Sequence, residues 1–180
     1  MSAKITASAD GTTVTFGTAA ENALQINATA KTIKPVSPYQ MAGNGPAFRA
    51  TGATVAPVVN VLAKVPVQTE VFDTNSNYDA PNSRFTPTVA GYYQFNASGG
   101  NQAALDTFGL YLAIMKNGST TLSQGGSTGN ASAFARATAA AIEYMNGTTD
   151  YVEVWITPLG PSGTLNVVCS DFSGALVRAA

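Results

Sequence analysis

Apolar and polar residues alternate along much of this chain with a period of two, the mark of strands buried on one face and exposed on the other. The clearest stretch is Tyr92-Tyr93-Gln94-Phe95-Asn96, after a turn at Ala90-Gly91; it sends Tyr93 and Phe95 to one face and Gln94 to the other. Residues 110–115 are nearly all apolar and predict a strand buried on both faces. They run into Lys116-Asn117-Gly118-Ser119, where Asn-Gly tolerates the positive φ angles of a type I′ hairpin turn. A second Asn-Gly, Asn146-Gly147, separates residues 142–145 from 151–156 and predicts a second hairpin. Residues 61–72 predict one or two strands, edged or broken at Pro66, and residues 165–169 and 175–178 predict the last two. Residues 131–142 are rich in alanine and would pass as a helix on propensity. They lie between Gly125-Gly126 and an Asn-Gly turn, and we read them as a strand. About eight to ten strands with regular turns predict an all-β sandwich or jelly roll.

The first 45 residues follow a different pattern. Thr12-Thr13-Val14-Thr15-Phe16 and Ala23-Leu24-Gln25-Ile26-Asn27 alternate as short strands, while Lys34-Pro35-Val36-Ser37-Pro38 and Gly43-Asn44-Gly45-Pro46 are breaker clusters. Large apolar residues are too few for a separate core. The segment reads as an extended arm that a partner orders, with Val14, Phe16, Leu24, Ile26 and Ile33 as its candidate attachment residues. It has no Gly-X-Y period and no heptad, which excludes a collagen or coiled-coil stalk. Residues 46–180 then form the folded head.

Composition narrows the function. Charged residues make up 11% of the chain, against about 25% in an average soluble domain. Such a polar but weakly charged surface suits close contact with other subunits. A net charge of −1 without a basic run argues against nucleic-acid binding. The absence of histidine excludes Ser-His-Asp and Cys-His catalysis, histidine metal sites and a histidine pH switch. A single cysteine, Cys169, excludes an intrachain disulfide and a cysteine-cluster zinc site, and its apolar strand makes it a small buried hydrophobe. No apolar run reaches the roughly 18 residues of a membrane-spanning helix. Residues 1–11 lack the apolar stretch of a secretory signal. The expectation is a chain made in a cytoplasm that stays there or leaves on something larger.

Asp73 and Asp79, with Glu70 nearby, are the candidate acid–base or metal group, but their loop is rich in Asn and Ser turn formers and reads as structural. The Asn-X-Ser/Thr sites at Asn27, Asn96, Asn117, Asn130 and Asn146 read as turn and surface residues. Gly125-Gly126-Ser127-Thr128-Gly129-Asn130 reads as a flexible loop; it lacks the Lys-Ser/Thr of a phosphate cradle. No catalytic residue, cofactor or metal is assigned, and an enzyme is not expected.

Several motifs occur together in one order. Pro46-Ala47-Phe48-Arg49-Ala50 opens the head, followed by Glu70-Val71-Phe72-Asp73 and Tyr78-Asp79. Then come Arg84-Phe85-Thr86-Pro87-Thr88-Val89-Ala90-Gly91-Tyr92-Tyr93-Gln94-Phe95, Lys116-Asn117-Gly118 and the terminal Phe172-Ser173-Gly174-Ala175-Leu176. In this order and spacing they resemble the globular head of complement C1q and its tumour necrosis factor-like relatives, over residues 46–180. The resemblance implies a ten-stranded C1q/TNF-like jelly-roll sandwich that assembles as a tight homotrimer, here with an extended N-terminal arm. The aromatics Phe48, Tyr93, Phe95, Trp155 and Phe172 are then candidates for the sandwich core or the trimer contact rather than for a ligand groove, since large rings dominate both settings.

Animal members carry a signal peptide and often a collagen stalk, and neither is seen here. Residues 146–153 and the ending Leu176-Val177-Arg178-Ala179-Ala180 resemble the variant common in bacteriophage structural proteins. The resemblance implies a virion protein assembled in a host bacterial cytoplasm. The expected role is a capsid decoration, or cement, protein that stabilises the shell from its outer surface, with the arm on the major capsid protein lattice or on neighbouring arms. The alternative is a tail-fibre tip or receptor-binding protein, held by tail proteins, that presents loops 73–83 and 123–132 to host surface polysaccharide. Neither role requires nucleic acid, a membrane or a cofactor. Some family members bind calcium; no dense acidic loop here matches such a site.

Overall fold

The computed structural model describes residues 4–7, 13–17, 22–27, 32–35, 45–102, 108–130 and 133–180. The chain divides into two units, Met1–Asn44 and Gly45–Ala180, and the described residues contain strands and turns but no α-helix.

The first unit contains β1 (Lys4–Ala7), β2 (Thr13–Gly17), β3 (Asn22–Asn27) and β4 (Thr32–Pro35), paired in series as an antiparallel sheet. The sequence pattern predicts two short strands in an extended arm, and the structure has four in one sheet. The added strands place Ile5 opposite Phe16 and Ile33 opposite Ile26 in the ladder. All five attachment candidates lie on these strands: Val14 pairs with Ile26, Phe16 with Leu24, and Ile26 with Ile33.

The second unit is a sandwich of two antiparallel sheets. The front sheet has the order β13 (Arg136–Met145), β10 (Gly91–Asn101), β15 (Val167–Ala179), β5 (Ala47–Thr51), β7 (Thr69–Asp73). The back sheet runs β12 (Thr120–Thr128), β11 (Gly109–Lys116), β14 (Val152–Leu159), β9 (Arg84–Phe85), β8 (Tyr78–Asp79), with β6 (Ala63–Lys64) also on β14. The chain passes between sheets repeatedly, as a jelly roll does.

Alternation builds the core. Tyr93, Phe95 and Phe172 from the front sheet meet Leu110, Leu112, Ile114, Val154 and Ile156 from the back sheet, all fully buried. Phe48 stacks on Phe85 with ring centroids 4.2 Å apart and meets Phe172 edge-on at 4.9 Å. On β11 the outward Ala113 and Met115 are buried as well, while Tyr111 is 44% exposed.

The alanine-rich segment forms β13 from Arg136 onward, and its start at 131–132 lies outside the described residues. Small side chains suit it because β12 runs close against it at the edge of the sandwich. A Cβ on Gly125 would lie 1.9 Å from the Thr138 carbonyl oxygen. Hence Gly125 to Thr128 belongs to a strand, not to the flexible loop the composition suggests. The two Asn-Gly pairs differ. Asn117 and Gly118 take φ of 54° and 68°, and Ser119 N donates to Lys116 O at 3.2 Å, closing the predicted two-residue hairpin. Asn146-Gly147 closes no hairpin: β13 and β14 lie in different sheets. The Asn146 side-chain oxygen accepts from the backbone N–H groups of Thr148, Thr149 and Asp150 at 2.9–3.0 Å, which shapes a crossover instead. The two C-terminal strands predicted separately are one. Gly174 stays in the ladder because it lies under two rings: a Cβ there would be 2.6 Å from Phe95 Cδ1 and 2.9 Å from Phe48 Cε1.

Candidate self-association face

Of the five aromatic candidates, Phe48, Tyr93, Phe95 and Phe172 are at most 1% exposed and lie in the core of a single chain. At that burial they have no surface to offer a neighbouring subunit. Trp155 points away from the core, on the outer face of the back sheet. Its indole Nε1 donates to Glu153 Oε2 at 3.0 Å. Glu153 is only 5% exposed and also accepts from Lys64 Nζ, so this acid has both its oxygens engaged.

On the outer face of the front sheet several large apolar side chains meet solvent. Tyr92 on β10 faces Tyr144 on β13 in register, with ring centroids 5.6 Å apart at an interplanar angle of 64°. Ile142 lies one step along, opposite Gln94. Val177 is the extra residue of a β-bulge in β15, opposite Tyr92 and Tyr93. Tyr92, Tyr144, Ile142 and Val177 are 48%, 40%, 61% and 60% exposed. Farther along the same strands the partners are small and uncharged: Asn96 with Ala140, Ser98 with Thr138, Gln94 with Ala175. Arg49 and Asp171 also reach this face and neutralise each other, Arg49 Nε lying 2.5 Å from Asp171 Oδ1. This face is lightly charged, with Arg178 opposite Tyr92 and Arg136 opposite Gly100 beside the Arg49–Asp171 pair, and its apolar end suits a subunit interface. The residues that carry it were not among the sequence candidates. Their signal was present: in Gly91-Tyr92-Tyr93 and Ile142-Glu143-Tyr144, the phase of alternation opposite to the core residues is itself apolar.

One end of the sandwich is held by a polar network. Lys116 Nζ meets Glu143 Oε1 at 3.0 Å, Asp150 Oδ2 at 3.1 Å and the Tyr144 carbonyl at 2.6 Å. Asn117 donates to Asp150 Oδ1 and accepts from Tyr151 N. Burial works against the Lys116 charge, yet hydrogen bonds to Glu143 and Asp150 outweigh it and hold its pKa above the ordinary value. Burial likewise works against the Asp150 charge, and hydrogen bonds from Asn117, Lys116 and the Asn146 backbone bring its pKa below the ordinary value. The network ties the β11–β12 hairpin to the crossover between sheets.

The candidate acids form no site. Asp73 accepts from Asn75 N at 3.2 Å and Tyr78 N at 2.6 Å. Asp79 accepts from Asn82 N and Nδ2 and pairs with Arg84 at 3.3 Å. The Asn82 side-chain hydrogen bond leads in lowering the Asp79 pKa. No group of three His, Cys, Asp or Glu residues suited to a metal occurs among the described residues. Burial pushes the Cys169 thiol up to about 12, which makes it unreactive at neutral pH.

The fold defines the class. The head, an all-β sandwich of two antiparallel sheets, is a C1q/TNF-like jelly roll. Among solved structures, the chain is similar to the globular domain of zebrafish complement 1qA protein, at 18% identity over 76% of this chain and 99% of that one, with a TM-score of 0.58. It is similar to the vertex protein P5 of PRD1 at 16% identity over 76% and 100% of the two chains, with a TM-score of 0.56. Murine APRIL matches at 12% identity over 74% and 99%, with a TM-score of 0.53. No family model and no curated protein sequence matches the chain.

Proposed function

We propose that this chain is a bacteriophage virion structural protein, a homotrimeric capsid decoration protein whose heads stand on the outer shell and whose first 45 residues attach them to it. The observation that carries the reading is the apolar end of the outer face of the front sheet, where Tyr92, Ile142, Tyr144 and Val177 are exposed together. A jelly roll that leaves such a face open gains by covering it with copies of itself, and three tethered heads add avidity at the shell. The shared fold with a phage vertex protein supports placement on a virion. Binding only to assembled shells would stabilise them by mass action. Gold-labelled antibody to residues 46–180, applied to the source virion, tests the placement. Label over the whole capsid is the expected result; label confined to the tail tip rejects decoration.

A second reading, as a tail-tip protein that recognises host polysaccharide, draws on one feature. A groove of about 260 Å³ on the back sheet is lined by Tyr111, Gly126, Ser127, Thr128 and Leu159, an exposed ring beside hydroxyls with no charged residue. The loops first considered for this role contribute less. Residues 123–128 are strand, and residues 73–83 are tied down by Asp73 and Asp79.

A further inference from the structure

The two outer faces of the sandwich differ. On the reading above, the front one is covered when heads associate and the back one stays open. Register lays out the back face around β11. Tyr111 lies between Gly126 of β12 and Thr157 of β14, and the next outward position, Ala113, lies between Gln124 and Trp155. Tyr111 is 44% exposed. A side chain on a strand ordinarily stands away from the sheet. The Tyr111 ring instead leans across onto Gly126, where a Cβ would collide with its Cδ1 and Cε1. Glycine at 126 therefore gives the ring room to lie along the sheet. The ring is one wall of the groove of about 260 Å³ that Gly126, Ser127, Thr128 and Leu159 complete. Ser127 Oγ accepts from Arg136 N at 2.8 Å, which ties this part of β12 to β13. No charged residue lines the groove, and on the outward rows beyond it Lys64 and Glu153 pair with each other.

We propose that this groove holds one pyranose unit of a neutral polysaccharide, with the C–H face of the sugar on the Tyr111 ring and its hydroxyls at Ser127 and Thr128. The inference deepens, and rests on, the polysaccharide part of the second reading, and it does not depend on where on a virion the head stands. Three features select this occupant. A pyranose is apolar on its ring faces and polar at its rim, and the groove offers the matching pair, an exposed aromatic ring bordered by hydroxyls that both donate and accept. The groove volume lies just below the roughly 300–1,000 Å³ of drug-sized pockets and suits a single sugar ring. An acidic sugar would find no counter-charge there, and an unpaired carboxylate is costly to bury. One stacked unit binds weakly, with a dissociation constant on the order of 1 mM, and several heads on one polymer tighten that by about a hundredfold.

The test is migration of the full chain through native gels cast with dextran, mannan or polygalacturonate. The expected result is retardation by at least one of the two neutral polymers and none by polygalacturonate. Trp155, the single tryptophan of the chain, lies one outward position from Tyr111, so its emission should change on titration with the retarding polymer. Tyr111→Ala should weaken binding about tenfold, and Tyr111→Phe should retain it, because stacking needs the ring and not its hydroxyl. Gly126→Ala should weaken binding with the ring still present, and it carries the test if Tyr111→Ala fails to fold. Retardation by neither neutral polymer, preference for polygalacturonate, unchanged Trp155 emission, or equal binding by Tyr111→Ala overturns the groove. Placement is decided separately by the gold label. Label over the capsid without saccharide binding removes the groove and leaves decoration standing, and label at the tail tip with binding intact does the reverse.

Discussion

The two units of this chain handle apolar residues in contrasting ways. The head closes a sandwich: Phe48, Phe85, Tyr93, Phe95 and Phe172 fill the space between two sheets and are essentially inaccessible. The described strands of the N-terminal unit form one sheet, whose ladder pairs Val14 with Ile26, Phe16 with Leu24 and Ile26 with Ile33. The same period of two serves both. What differs among the described residues is the number of sheets, two facing each other in the head and one in the N-terminal unit.

The sharpest break of this comparison is a truncation on each side. Phe48→Ala should cost the head about 3–5 kcal/mol, because the ring leaves a cavity between Phe85 and Phe172 that the sheets cannot close. Ile26→Ala should leave the head's unfolding transition within about 0.5 kcal/mol of the parent. Denaturant melts followed by near-ultraviolet circular dichroism read both, and a comparable loss from Ile26→Ala would show that the units are one cooperative body.

Removing the Lys116 ammonium comes next. Lys116→Met should cost about 1–3 kcal/mol, since Glu143 and Asp150 are left facing each other without a cation. The pH profile supplies the sign. Asp150 titrates lower folded than unfolded, so its contribution is present above its ordinary 3.8 and is lost as pH falls through the folded value. Lys116 titrates higher folded, so its contribution is present below its ordinary 10.5 and is lost as pH rises through the folded value. Melting temperature against pH should therefore be flat in between and fall at both ends, with both falls reduced in Lys116→Met. An unchanged profile would remove the network from the account of head stability.

The smallest effect belongs to the hairpin. Gly118→Ala should cost about 1 kcal/mol, because alanine tolerates φ of 68° poorly and has no polar side chain to bond locally there. A thermal melt of the same head measures it, and no loss would mean the turn relaxes freely.

Much of the head is legible in order along the chain. Period-two alternation places Tyr93 and Phe95 inward, and Asn117-Gly118 specifies its turn, because side-chain phase and φ preference are properties of a few consecutive residues. The alanine-rich β13 is legible only from its flanks. The candidate face is half legible: the outward tyrosines can be read as apolar residues in the wrong phase, but not as neighbours. Their meeting depends on β10 pairing with β13, a choice made by packing across the whole sandwich. The same holds for Asn146-Gly147, which has the residues of a hairpin and serves as a crossover, and for Gly125 to Thr128, where Gly125 admits the backbone of β13 and Gly126 lies against the Tyr111 ring rather than loosening a loop. Local pattern decides which residues extend and which way they point. Which strand lies beside which is decided by contacts between distant segments, because only the closed sandwich brings them within reach.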